Sequence, residues 1–499
     1  MSSKPITDEQ LAVVECNKRD ICVNAFAGSG KTTTVEAYAR HRPRVKMLYL
    51  AFNKAMQVEA KARFPPNVKC MTTHAVAYST TGREYQHKLL HGSHKPFTIG
   101  TNLGVNFEVA ATGIRLVDAF LASSCDRLED VFPSKLSAEE ADTATRIWRG
   151  MCDKDNTAIG MTHDGYLKLF QLSRPTLNYG TILYDEAQDA NAVTTAIVAD
   201  QMCGKVYVGD RHQQIYSFRG AVNAMDNFDG ERLYLTQSFR FGQPVADVAN
   251  ALLGLKDESL LLYGMRQGSQ VHLEAPVSNQ GLALICRTNA GVFMSAVEAI
   301  SDGAGRKLGF VGGIDGYRFG LIEDTWRLFS NQIDAIQDRY IKSFGSYSRM
   351  VEVAEATDDP ELKALQKAID SYGGQIPSLI QAVRMADAHS IDHADTVLMT
   401  AHKCKGLQFR NVRLLDDFFD PSEYKEKLRQ KLMSKLALDS EINLLYVAAT
   451  RAIEQLYLNS MLASWLLFDT DWPDLYPETL DSLKPSIPEG KGEPESRVT

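Results

Sequence analysis

Apolar residues in this chain gather into short runs the length of buried strands, each followed by a stretch with helical spacing. Runs at 21–25, 46–52 and 68–72, and again at 181–184, 205–208 and 232–235, predict the strands of one sheet. A fresh set at 282–286, 396–400 and 411–415 predicts a second sheet. Between these runs, residues 82–175 and 301–394 turn helical and more polar. Thr7, Asp8, Glu9 and Gln10 open an amphipathic helix, with Thr7 placed as N-cap and Gln10 at the capping-box position. The tail from Lys484 is rich in Pro, Gly, Glu and Lys, a composition that predicts disorder. No internal repeat is visible. The pattern predicts an α/β chain with two strand–helix regions, each interrupted by a helical insertion. Two such regions would create a cleft, and ligands favour the strand C-terminal edges that face one.

The strand at 21–25 runs into Ala25, Phe26, Ala27, Gly28, Ser29, Gly30, Lys31 and Thr32, and a helix follows over 32–40. That context marks a phosphate-binding loop. Gly28 and Gly30 let the backbone curl its N–H groups toward phosphate oxygens, and the helix N-terminus adds its positive end. Lys31 would neutralise the β- and γ-phosphates, and Thr32 would hold Mg²⁺ through its hydroxyl. The nucleotide-binding set is Ala27, Gly28, Ser29, Gly30, Lys31, Thr32 and Thr33. Ala25 replaces the first glycine of the usual pattern and is small enough to fit. A Gly-rich turn before an ordinary helix is the competing reading, and the strand, Gly-Lys-Thr and the helix together oppose it. The apolar strand at 181–184, parallel to the first, ends in Asp185 and Glu186. Asp185 there suits the Mg²⁺ shell, and Glu186 can accept the proton of an attacking water. Loop and carboxylates together predict hydrolysis of a nucleoside triphosphate, with ATP and Mg²⁺ as cofactors.

Composition narrows the class. A chain of 499 residues calls for about two to four folding units. With 44% hydrophobic and 23% charged residues it reads as soluble and globular. No apolar stretch reaches transmembrane length, and residues 1–6 lack an apolar signal region, so a cytoplasmic, intracellular protein with no membrane partner is expected. The eight cysteines, at 16, 22, 70, 125, 152, 203, 286 and 404, form no Cys-x-x-Cys pair, which argues against zinc, iron–sulfur and disulfide frameworks. The net charge of −8 is not that of a small DNA-binding module, although a large motor needs only a local basic groove. Arg83, Tyr85, His87, Lys88, His91, His94, Lys95 and Phe97 make a basic, aromatic stretch that could line such a groove or form a solvated face.

Taken in order, the motifs resemble those of superfamily 1 DNA helicases of the UvrD/Rep type across nearly the whole chain. Within that group the chain looks most like the helicase part of the F-box DNA helicase family. Ala51 to Lys54, Thr73 to Tyr78, Gly82 to Gln86, Leu415 to Phe418 and Asn443 to Ala448 carry the closer likeness. The resemblance implies two RecA-like P-loop domains with parallel sheets. The first domain would take 1–85 and 175–243, with a helical insertion at 86–174. The second would take 244–300 and 391–483, with a short helical insertion at 301–390, and 484–499 would be a disordered tail.

The resemblance also implies roles. Gln10 would grip the adenine edge, a helix cap being its competing role. Gln213 would sense the γ-phosphate, Arg240 would reach it, and Arg451 would act as an arginine finger. With Lys31 and Arg451 on opposite walls, ATP would draw the walls together and hydrolysis would let them part. Phe239 stands where the family has a Tyr on the nucleotide base, Gly406 lies near the γ-phosphate, and Gln408 replaces a Glu at the nucleotide sugar, which predicts tuned affinity. Phe52, Lys54, Thr73, His74, Tyr216, Phe218, Arg219, Arg287, Asn289, Thr400 and His402 form the expected DNA-binding set. Phe218 stands where the family has Trp, to stack on a base, a core aromatic being its competing role.

The implied activity is ATP-dependent translocation on single-stranded DNA, 3′-to-5′, with duplex unwinding in recombination or repair. A translocase that displaces recombinase or other proteins from DNA is the alternative. Single-stranded DNA and its junctions with duplex are the expected partners, with recombinase or replication proteins beside them. Only 24 residues precede Ala25, which leaves no room for an F-box, so no ubiquitin-ligase partner is expected. A small-molecule kinase would leave Arg240, Arg451 and the second α/β region without a role. A non-enzymatic scaffold sits badly with intact Lys31, Thr32, Asp185, Glu186 and Gln213.

Overall fold

In a computed structural model the described residues are 6–469, without 91, 217–222, 227, 275, 277, 302–304 and 358. The chain divides into two compact units, Met1–Thr236 and Gln237–Thr499. The first unit holds six strands: β1 (Asp20–Ala25), β2 (Met47–Ala51), β3 (Val68–Thr72), β4 (Thr181–Asp185), β5 (Gly204–Gly209) and β6 (Glu231–Leu235). They lie in the order β3-β2-β4-β5-β1-β6, with every pair parallel.

Side-chain alternation builds two layers on this sheet. Ile21, Val23, Tyr49, Leu183 and Val208 point into one apolar core, together with Val13, Val35 and Tyr38 from the helices Asp8–Glu15 and Lys31–His41. Cys22, Leu48, Leu50, Ile182 and Tyr184 point into the other core, shared with Ile114, Val117, Phe120 and Ile147 of the helical insertion. The insertion is thus built onto the sheet. Each fully buried Leu, Ile or Val there contributes about 1.5–3 kcal/mol.

The second unit opens with two short paired strands, β7 (Gln237–Ser238) and β8 (Tyr263–Gly264). Its main sheet comprises β9 (Gln270–His272), β10 (Ala283–Cys286), β11 (Leu308–Phe310), β12 (Thr396–Thr400), β13 (Phe409–Leu414) and β14 (Ala452–Tyr457). The order is β11-β12-β10-β13-β14-β9, again all parallel. The chain is therefore α/β, with two six-stranded parallel sheets and helical segments among the described residues. Three of these strands escaped the apolar pattern. β9 and β11 are three-residue edge strands, and β14 is largely half-buried and carries Glu454 and Gln455. β11 also falls in a stretch expected to be mostly helical. Residues of the expected tail at 484–499 lie outside those described. Among the described residues no helix is long and apolar enough to cross a membrane.

Lys168 shows how the insertion satisfies its polar groups. It is fully buried, and its Nζ donates to the carbonyls of Ser123 (2.9 Å) and Cys125 (2.5 Å), just past the end of the helix Phe107–Ala122. Burial pulls its ammonium down to about 8. Between that value and the ordinary 10.5 the folded chain holds fewer protons than the unfolded one, so this group's contribution to stability rises with pH across the window. Denaturant unfolding of wild type and Lys168→Met should therefore diverge in favour of wild type as pH climbs from about 8 to 10.5, by up to about 3 kcal/mol. A constant difference across that range would contradict this account.

Candidate active site

β4, β5 and β1 are consecutive and parallel, so their C-terminal ends lie side by side at one sheet edge. β1 runs into the loop at Ala25. Gly28 and Gly30 take φ of 76° and 81°, where any side chain would strain the backbone, and Gly30 caps the helix Lys31–His41. Ser29 is buried, and its hydroxyl donates to the Phe26 carbonyl at 2.8 Å. Gln10 supports the loop: its Nε2 donates to the Ser29 carbonyl at 3.2 Å, while its Oε1 accepts the Thr7 N–H at 3.2 Å. The capping role and a grip on the phosphate loop coexist in one buried side chain.

Asp185 closes β4 and is 2% exposed. Its Oδ2 accepts the Tyr49 hydroxyl at 2.5 Å, and its Oδ1 accepts the Glu186 N–H at 2.9 Å. Burial and the neighbouring Glu186 charge push the Asp185 carboxyl above the usual carboxylate range, against the pull of Tyr49 and Lys31. A divalent cation would relieve that crowding of negative charge. The Asp185 carboxylate and the Thr32 hydroxyl are the hard oxygen donors that Mg²⁺ takes.

Glu186 sits at φ 51°, a left-handed conformation that costs a non-glycine residue about 1–3 kcal/mol and clusters at functional sites. A buried amide links it to β5. Gln188 Nε2 donates to Glu186 Oε2 at 2.5 Å, and its Oε1 accepts the Asp210 N–H at 3.1 Å. Asp210 Oδ2 in turn accepts Gln213 Nε2 at 2.7 Å. The expected catalytic residues Glu186 and Gln213 thus belong to one hydrogen-bonded chain. Gly209 makes room for it, because a Cβ there would collide with Gln188 Oε1. Sequence reasoning missed both Gln188 and Tyr49. Tyr49 is hidden in an apolar run that reads as core, and Gln188 has no signal beyond its place two residues after Glu186.

The same unit carries much of the expected nucleic-acid set. Phe52 is 47% exposed and stacks on Tyr216, with ring centroids 6.1 Å apart and planes 15° from parallel. Lys54 starts the helix Lys54–Arg63, and its Nζ donates to Gln57. At the far end of that helix, Arg63 Nη2 donates to Thr33 Oγ1 at 3.1 Å and pairs with Glu36, both on the helix that follows the phosphate loop. Thr73 is buried, and His74 pairs with Asp164 at 3.0 Å. Phe218, Arg219 and His91 lie outside the described residues. In the basic, aromatic stretch Tyr85 and Lys88 prove to be structural: both are buried, donating to the carbonyl of Cys152 and to those of Gly150 and Asp153 respectively. Arg83, His87, Lys95 and Phe97 stay exposed.

In the second unit, Arg240 gathers three expected segments around itself. Its Nε donates to Gln408 Oε1 at 3.3 Å, and its Nη1 donates to the Thr450 carbonyl at 2.9 Å, beside Arg451. Phe239 precedes it, half-buried. Arg451 is 1% exposed, with its guanidinium donating to the carbonyls of Val447 and Leu407. Gly406 takes φ 83° with open space about it. Thr400 caps the short helix Ala401–Cys404, which contains His402. Arg287 does not face open solvent. Its guanidinium forms a fork with both oxygens of Glu441, each bond 2.8 Å, and Asn289 begins the next helix.

Comparison with known proteins adds an independent line. The sequence profile of the UvrD-like helicase C-terminal domain matches residues 89–462. The chain is 32% identical to F-box DNA helicase 1 of Gallus gallus over 486 aligned residues, 88% of this chain and 47% of that protein. It is 30% identical to F-box DNA helicase protein 1 of Schizosaccharomyces pombe, over 92% of this chain and 58% of that protein. The chain spans about half the length of these relatives.

The Gln188 bridge can be tested by filling its space. Gly209→Ala should lower ATP turnover at least tenfold and destabilise the fold by about 1–3 kcal/mol through overpacking. Adding Gln188→Ala should restore thermal stability but not turnover. If turnover returns in the double variant, the bridge has no catalytic part.

Proposed function

This chain belongs to the UvrD-like helicase family, and we propose that it is an ATP-hydrolysing motor on single-stranded DNA that travels 3′-to-5′ and unwinds duplexes in recombination or repair. The observation that carries the reading is the bridged constellation at the ends of β1, β4 and β5. Phosphate loop, carboxylate pair and Gln213 converge there, with Glu186 and Gln213 joined through Gln188 and Asp210. The polarity and the cellular process rest on family resemblance alone.

In this reading Lys31 and the N–H groups of the loop hold the β- and γ-phosphates. Thr32 and Asp185 hold Mg²⁺, which when bound would neutralise charge on the phosphate oxygens. Glu186, held by Gln188, accepts a proton from the attacking water. Gln213 senses the γ-phosphate, and through Asp210 and Gln188 its position is tied to that of the base. Arg240 and Arg451 are assigned to the charge that develops in the transition state, Arg451 exchanging backbone carbonyls for phosphate oxygens. Phe52 and Tyr216 offer ring faces on which bases of any sequence can stack, each stack adding about 1–3 kcal/mol. Residues 86–174 and 301–390 are the proposed insertions of two RecA-like domains.

The test is steady-state ATP hydrolysis with and without single-stranded DNA. Stimulation of about tenfold or more is expected, with Lys31→Ala abolishing turnover in both conditions. Robust turnover indifferent to DNA would replace the motor with a small-molecule kinase, and normal turnover in Lys31→Ala would remove the site.

A further inference from the structure

Lys403 follows His402 in the short helix Ala401–Cys404 and is half-buried. Its Nζ lies 3.5 Å from the centroid of the Tyr317 ring. A Cβ at Gly316 would come within 2.6 Å of that ammonium, so the missing side chain gives it its place. Among the described residues no carboxylate forms an ion pair with it. Burial alone pulls its pKa below the usual lysine range, and no anion offsets the effect. Tyr317 supplies only its ring face, because its hydroxyl donates to the carbonyls of Val311 and Leu398. A half-buried ammonium held this way leaves its donor capacity largely unused.

A glycine turn lies beside this ammonium. Gly312 and Gly313 follow β11 at φ 78° and 82°, two adjacent residues without side chains that leave the backbone approachable. The same turn borders an open cavity of about 780 Å³, with Arg384 and His389 also lining it. Those two side chains already have partners, Asp315 at 3.2 Å from Arg384 and Asp387 at 3.1 Å from His389. Lys403, whose Nζ lies 3.8 Å from where a Cβ on Gly312 would stand, has none of that kind.

We propose that Lys403 is a phosphate contact for the single-stranded nucleic acid. Its Nζ donates to a backbone phosphate laid over the Gly312–Gly313 turn, and the Tyr317 ring holds the ammonium ready when no strand is bound. The proposal rests on the motor reading and deepens it by assigning a phosphate site to this residue.

The measurement is fluorescence anisotropy of a labelled oligothymidylate with the full chain, without nucleotide, across a series of salt concentrations. Each phosphate contact contributes about 0.7 to the slope of log affinity against log salt for a single strand. Lys403→Met should weaken binding several-fold and shrink the slope by about 0.7, while Lys403→Arg should keep it. Wild-type affinity and slope in Lys403→Met, with a lowered thermal midpoint, would make the residue a structural clasp on Tyr317 and overturn the proposal. Should Lys403→Met fail to fold, Lys403→Gln is held to the same slope. Absence of any salt-dependent binding by wild type would instead remove the motor reading itself.

Discussion

Two carboxylates placed side by side at the end of a buried strand repel each other, and the first unit is organised around that repulsion. Asp185 has almost no contact with solvent, so the protein supplies what water would have supplied. Tyr49 donates from the neighbouring strand, the Glu186 N–H donates from the next peptide, and Lys31 adds positive charge from the loop. Glu186 is turned into a left-handed backbone conformation and tethered there by Gln188. The tether requires a glycine on β5, and it reaches the segment that bears Gln213. The proposed site for a metal ion and an activated water thus imposes constraints on three strands.

Much of this was legible in the chain. The phosphate loop and the carboxylate pair announce themselves because each ends an apolar run, and such runs are the strongest local signal a buried strand emits. Most interior strands were placed within a residue or two, but β14, with Glu454 and Gln455 in its middle, was missed, and the edge strands β9 and β11 were invisible because three residues are too few to show a period. Tyr49 and Gln188 were unreadable for another reason. Their partners are distant in sequence, Asp185 at the end of β4 and Asp210 just past β5, so only the sheet order creates the contacts. The basic, aromatic stretch misled in part. Lys88 and Tyr85 look like surface chemistry in sequence, yet they satisfy carbonyls inside the insertion. Arg287 likewise reads as a free cation until Glu441, distant in sequence, is found against it.

The insertion shares its apolar core with one face of the first sheet, which bears on how it can be treated experimentally. Cys22, Leu48 and Tyr184 on the strands meet Ile114, Phe120 and Ile147 on the helices. Excising the helices would strip that sheet face of its cover, so an isolated motor core would expose apolar strands rather than fold as a smaller enzyme.

The helix Lys54–Arg63 runs from the residue two past Phe52 to the guanidinium that holds Thr33 and Glu36. Ten residues of α-helix measure about 15 Å and bend little. Such an element behaves as a push-rod. A shift of its Phe52 end would be delivered along its axis to the helix whose first turn carries Lys31 and Thr32, so the proposed strand and nucleotide contacts would be mechanically in series within one unit.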